Sequence, residues 1–250
     1  MKLKNTVLKT SAVLLALCAW QTAVCYIDLP ILLPSPLDVL KRLTTIWKDE
    51  GFLSTVLFTF GRIISGFFKG FGLGIVLALI AGRWKIAEHL FWPYLITVKS
   101  VPVATFIIIA LLWISTEDLA SFISFLMVLP IVYTNVLQGY ESIDKKKKEA
   151  AEVFGLSYPK RLVYIYLPAI KPFIISACSV SFGLAWKSGV AAEFIGLPEG
   201  SVGEALYYSK IYFETVDLFT WTLLLVLLSV CFEKIMVAVI KLCFKGVEKL

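Results

Sequence analysis

A single histidine, His89, stands in 250 residues. That scarcity excludes histidine-rich metal centres and leaves a nucleophile–histidine–carboxylate triad without partners, so His89 beside Glu88 reads as an interfacial side chain. The five cysteines, Cys18, Cys25, Cys178, Cys231 and Cys243, fall inside apolar stretches or at their edges and share no metal-type spacing. Neither a disulfide framework nor a thiolate site is expected. Charge is sparse as well: Asp, Glu, Lys and Arg make up 17% of the chain, against about 25% in soluble domains. No Gly-x4-Gly-Lys-Ser/Thr, His-Glu-x-x-His or Gly-x-Ser-x-Gly occurs, so phosphate-loop hydrolysis, zinc proteolysis and esterase chemistry have no residues to carry them.

What is present is apolar. The chain is 59% hydrophobic with a mean hydropathy of +0.84, and a membrane-spanning helix needs about 20 such residues in a row. Six segments qualify, at 7–27, 54–82, 87–114, 119–140, 169–190 and 220–243. The expected fold is therefore an all-α integral membrane domain of six transmembrane helices covering 1–250. The third segment contains Pro93 and Pro102 with Lys99 between them, which predicts a broken or kinked span.

The positive residues set the orientation. With the N-terminus inside, the inner face collects Lys2, Lys4, Lys9, Arg83, Lys85, Lys145 to Lys148, Lys160, Arg161, Lys171, Lys241, Lys245 and Lys249. The outer loops hold only Lys41, Arg42, Lys48 and Lys210. Both termini and the segment 141–168 are expected in the cytoplasm. This bias accounts for the net charge of +6, and no nucleic-acid partner is expected. Lys2, Lys4 and Lys9 before the apolar run Ala12 to Trp20 also resemble a secretory leader, but Val24 precedes Cys25 and no Ala-x-Ala site follows, so the first helix is expected to be retained.

Segment 141–168 is the one long polar interruption. Four lysines lead into Glu149-Ala150-Ala151-Glu152-Val153-Phe154, a good helix former, and Gly155 is the residue type that closes a helix in the left-handed conformation. Ser157 suits the cap of a second short helix, Pro159 its first turn, and Leu162, Ile165 and Tyr166 share one face. Composition alone also fits a solvated connector. The order Glu-Ala-Ala, three residues, Gly, nine residues, Ile-x-Leu-Pro goes further: it resembles, at each fixed position, the EAA loop of permease subunits in binding-protein-dependent ABC importers.

Several other stretches are similar to the nitrate/sulfonate/taurine-type branch of that family: Leu33-Pro34-Ser35-Pro36, Thr59-Phe60-Gly61-Arg62, and the break at Ser100-Val101-Pro102. The resemblance implies the type I ABC importer permease fold. It also implies an ATP-binding subunit that carries ATP-Mg, a second permease copy, an extracytoplasmic solute-binding protein, and residence in a bacterial inner membrane. No cofactor is implied on this chain. By the same resemblance, Glu149, Ala150, Ala151, Gly155, Ile165, Leu167 and Pro168 form the contact with the ATP-binding subunit, the small alanines permitting close approach and Glu149 meeting a basic group.

A charge at bilayer depth costs at least roughly 2.5–3.5 kcal/mol unless it reaches water or a partner, which singles out Arg62, Lys69, Lys99, Lys187, Glu193, Glu233 and Lys234. Of these, Arg62, Lys99, Lys187 and Glu193 are candidates for the translocation path. Lys99 and Lys187 would favour an anion, whereas Lys187 with Glu193 would equally make a structural ion pair. Gly66, Gly70 and Gly74, spaced by four, with Gly72 beside them, allow a neighbouring backbone to pack closely, within the subunit or between subunits. An organic anion such as a sulfonate, nitrate or a carboxylate is the expected solute, and a heterocyclic vitamin precursor the alternative. An ion-coupled secondary transporter and a membrane-embedded enzyme using Glu193 or Glu233 remain competing classes. Gly155→Pro is expected to abolish transport-coupled ATPase while leaving membrane insertion intact; vesicle ATPase assays alongside membrane fractionation check this, and normal coupling in the variant would remove the loop assignment.

Overall fold

The computed structural model describes residues 2–247, and among these all regular structure is helical. In chain order the helices are α1 (Lys2–Ile27), α2 (Pro36–Leu43), α3 (Phe52–Arg83), α4 (Lys85–Ser100), α5 (Val103–Ala110), α6 (Thr116–Glu141), α7 (Lys145–Val153), α8 (Tyr158–Arg161), α9 (Leu167–Gly196), α10 (Val202–Ile211) and α11 (Thr215–Val247). A 3-10 turn at Ile46–Lys48 follows α2, and a π-helical turn at Leu162–Tyr166 joins α8 to α9. The long apolar helices cover Val7–Ile27, Phe52–Arg83, Thr116–Glu141, Val163–Gly196 and Thr215–Leu242, and α4 with α5, a pair bent by 102°, is a sixth segment apolar enough to count as a broken span or a re-entrant loop. These match the six expected segments.

The bend falls at one of the two prolines named from the sequence. Val101, ahead of Pro102, sits at φ −85°, ψ 133°, the extended conformation forced on a residue that precedes proline. Pro93 does not interrupt α4, which runs through it; the proline lies on an exposed side of the helix, where the missing backbone donor is tolerated.

The core is the close packing of α3, α6 and α9. Lipid tails are as apolar as leucine, so hydrophobic burial does little to hold helices together in a membrane, and close van der Waals contact must do it. Gly66, Gly70 and Gly74 supply that contact. A Cβ added to them would lie 2.9 Å from the Cβ of Ser124, Val128 and Val132 respectively, so α6 occupies the space that side chains would take. The four-residue spacing thus serves packing within the chain. Gly189 of α9 performs the same role against Ile63 and Ser124, and Ser124 Oγ donates to the Ala185 carbonyl at 3.0 Å. Phe67, Val128, Val132, Val136, Ile174 and Phe182 fill the space between these contacts.

The remaining elements hang on this three-helix body. Lys85 at the start of α4 bridges to Glu88 at 2.8 Å and to Glu141 at the end of α6 at 3.0 Å. At the opposite end, Arg42 of α2 pairs with both Asp49 and Asp217, and donation to Asp49 and then Asp217 raises the guanidinium further above its ordinary pKa. Helix α1 is exposed along its apolar length and is held through Trp20, whose Nε1 donates to the Pro34 carbonyl at 3.1 Å and whose ring lies 5.6 Å from Phe219. Gly70→Leu is expected to cost roughly 1–3 kcal/mol by overpacking or to prevent folding. Gly72→Leu, with nothing within 4 Å of its Cβ position, should elute and melt like wild type; size-exclusion chromatography after graded heating of the detergent-solubilised variants compares them.

Candidate functional site

The loop between α6 and α9 bears two short helices on one reversal of the backbone. Helix α7 ends in a left-handed glycine, Gly155 at φ +61°, and the Leu156 N–H donates to the Ala151 carbonyl at 3.0 Å. A six-to-one bond across a left-handed glycine is the Schellman ending of a helix. No atom lies within 4 Å of a Cβ at Gly155, so the glycine is required by the backbone angle and not by lack of room. Arg161 Nε donates to the Leu156 carbonyl at 2.7 Å, which fastens the second arm to the turn. The π-helical turn then runs without a gap into α9, and Tyr166 stacks on Tyr140 of α6 with ring centroids 4.8 Å apart.

The motif residues divide into two groups. Glu149, Gly155 and Pro168 are exposed, and Ile165 and Leu167 are half-buried; the Ala150 side chain lies outside the described residues. Ala151 is 2% exposed, and it lines the hollow between the two arms. The apolar surface comes instead from residues between the motif positions: Val153 is 84% and Phe154 80% exposed, with Tyr164 open beside them. An open hollow of about 520 Å³ lies between the arms, lined in part by Lys147, Phe154, Leu156, Tyr164 and Pro168. Val153 and Phe154 were visible in the sequence as two adjacent apolar residues closing a lysine-rich helix.

The four candidate path residues have different partners. Arg62 donates to the Glu117 carbonyl and pairs with Glu117 at 3.7 Å and Asp118 at 3.4 Å, and its guanidinium lies 4.5 Å from the Phe58 ring centre. It anchors the start of α6 to α3. Glu193 is fully buried; its Oε2 accepts from Thr59 Oγ1 at 2.7 Å and from the Gly203 N–H at 3.3 Å. Thr59 Oγ1 in turn accepts from the Val202 N–H at 2.9 Å, so the carboxylate clasps α3, α9 and α10 together. Lys187 and Glu193, six residues apart on one helix, point to different faces, and the described residues contain no ion pair between them. Lys187 borders a groove between α9 and α11, whereas Lys99 faces α6. Glu233 accepts from Ser179 Oγ, and Lys234 borders a second hollow between α9 and α11; Lys69 is exposed.

Comparison with known proteins places this architecture. Residues 70–246, including the whole loop and α9, match the family described as "Binding-protein-dependent transport system inner membrane component". The chain belongs to that family. It is 26% identical over 216 residues to a "probable ABC transporter permease protein" of Brucella melitensis, covering 83% of this chain and 85% of that one. It is 26% identical over 197 residues to the taurine transport system permease protein of Escherichia coli, covering 76% and 71%. With the formylaminopyrimidine transport permease protein of Halalkalibacterium halodurans it shares 24% identity over 189 residues, 75% of each chain. The protein is thus an ABC transporter permease, a transport subunit.

In this permease the Glu193 clasp is the interaction most sensitive to a single atom. Thr59→Val leaves the Val202 N–H without its acceptor and Glu193 without its shortest donor, and a buried polar group left unpaired costs about 1–3 kcal/mol. Thermal melting in detergent should show a clear drop for Thr59→Val and near-wild-type behaviour for Thr59→Ser; an unchanged melt in Thr59→Val would mean that the clasp does not hold these helices.

Proposed function

We propose that this permease forms, with a second copy of itself, the membrane pathway of an ATP-driven importer for a small organic anion. The observation that carries the proposal is the loop: two short helical arms reversed at Gly155, presenting Val153 and Phe154 almost fully exposed next to the Glu149 carboxylate. An apolar patch rimmed by charge on a segment too short to span the bilayer suits a protein partner. The partner is the ATP-binding subunit, which holds ATP-Mg. Residues 141–168 then lie in the cytoplasm, as do both termini, and a solute-binding protein delivers the cargo on the far side of the bacterial inner membrane.

The covalent path of the chain supports a mechanical reading. The second arm passes through the π-helical turn directly into α9, and α9 is packed on α6 and α3 by glycine contacts and latched to α3 and α10 by Glu193. Closure of the ATP-binding subunits displaces the arms, and α3, α6 and α9 move as one body. The bend at Pro102 uncouples α5 from α4, so the sixth segment follows with its own geometry. The two rigid bodies of a dimer would rock about the pathway between them and expose it to one side at a time.

The transport proteins of taurine and of formylaminopyrimidine among the relatives bracket the solute class: a sulfonate on one side, a heterocyclic vitamin precursor on the other. The intramembrane cations favour the anion. The decisive experiment isolates the tagged permease from native membranes and identifies bound subunits by mass spectrometry. Wild type should retain an ATP-binding subunit, Phe154→Asp and Glu149→Lys should lose it, and all three should insert and elute alike. A wild-type sample without such a subunit would overturn the proposal.

A further inference from the structure

Resting on the reading of the chain as a solute permease, we propose that the pocket between α4 and α6 around Lys99 is a subsite for an organic anion with an apolar body. The pocket has a volume of about 350 Å³, within the range of small-molecule sites. It is built by one face of α4, on which Glu88, Trp92, Leu95 and Lys99 recur at helical spacing, set against Tyr133, Thr134 and Leu137 of α6.

The charges decide which ligand fits. Lys99 Nζ donates to Thr134 Oγ1 at 2.6 Å, and Thr134 passes its own proton to the Pro130 carbonyl at 2.6 Å. The hydroxyl is therefore committed in both roles, and an ammonium has three donors. Among the described residues Lys99 has no carboxylate partner, so its charge and two of its N–H groups are open to an acceptor. Lys99 is exposed on the open side of the pocket, where an entering anion meets its ammonium directly. Glu88, the acid in the same pocket, does not serve: it is paired with Lys85 at 2.8 Å, and it lies eleven residues along α4, about 16 Å at a helical rise of 1.5 Å per residue.

A second observation points to a ligand independently of the charge. The Tyr133 side chain is 6% exposed, and its hydroxyl is buried without a hydrogen-bond partner among the described residues. Buried hydroxyls in finished structures are almost always paired, and this one lines the same pocket as Lys99. The remaining walls, Trp92, Leu95 and Leu137, offer an aromatic edge and aliphatic surface but no further charge. The arrangement takes a single anionic head at Lys99, an apolar body along α4, and a polar atom that meets the Tyr133 hydroxyl. Lys187, the other intramembrane lysine considered from the sequence, borders a different groove and has no part in it.

The test uses the permease, with whatever subunits copurify, in phosphatidylcholine nanodiscs, and hexane-1-sulfonate as probe by isothermal titration calorimetry. Wild type should bind saturably. Lys99→Gln should weaken binding by at least about tenfold, and Tyr133→Phe should weaken binding of 6-hydroxyhexane-1-sulfonate, which carries the second polar atom, by about fivefold while leaving hexane-1-sulfonate unchanged, the sizes expected for a charge-assisted and a neutral hydrogen bond. Lys187→Gln should bind as wild type, and hexan-1-ol, which has the body without the charge, should show no saturable binding. Wild-type affinity in Lys99→Gln, an equal loss in Lys187→Gln, or no binding to wild type would overturn the proposal. Loss of wild-type binding when phosphatidylglycerol is added to the nanodiscs would overturn it too, by assigning the pocket to a lipid headgroup. Mass spectrometry of the same samples separates the two readings: an ATP-binding subunit present with no sulfonate bound refutes the pocket alone, whereas sulfonate bound with no such subunit refutes the importer alone.

Discussion

Close approach of three backbones is the constraint on which the rest of this permease depends. In water a helix bundle gains stability by removing apolar surface from solvent, but in a bilayer that gain is already spent when the helices insert, and association must come from contact. Gly66, Gly70, Gly74 and Gly189 remove the side chains that would hold α3, α6 and α9 apart. Several polar atoms brought into the interior by that approach are paired across it: Ser124 to the Ala185 carbonyl, Thr59 to Glu193, Gly203 to Glu193. Packing and hydrogen bonding are here one device, since the short separations that glycine permits are what bring the donors within reach.

The outer elements follow a different rule. Ion pairs place their ends, Lys85 of α4 with Glu141 of α6 and Arg42 of α2 with Asp217 of α11, while α11 lays apolar side chains along the central body, Phe232 on Phe60 with ring centroids 4.1 Å apart. Ion pairs of this kind fix where an element begins without gripping it along its length.

Much of this was legible in the chain. The spans followed from apolar run length, the break in the third from a proline pair, the loop from its fixed spacing, and the left-handed Gly155 from its place after a helix-forming run. Each of these depends on local chemistry, which a sequence carries. What the sequence did not carry were pairings between distant elements. Arg62 and Glu193, read as path residues because they are charged and apolar-flanked, are committed to Glu117, Asp118, Thr59 and Gly203, partners up to 134 positions away. The low exposure of Ala151, set by packing around the loop, is likewise not readable from the chain. Lys99 and Lys187 border separate grooves of the subunit, a placement that their shared charge did not indicate.

The π-helical turn at Leu162–Tyr166 gives the loop a control over distant geometry. A wider turn takes up extra backbone relative to an α-helical one, so everything after it is rotated about the helix axis by a fixed angle. Helix α9 inherits its phase from that rotation, and the direction in which Glu193 meets Thr59 at its far end is already set beside the two short arms of the loop. A turn that tightened to ordinary α-helical winding when the arms moved would twist α9 as a screw rather than tilt it as a lever, carrying the Lys187 groove and the Glu193 clasp around the axis together.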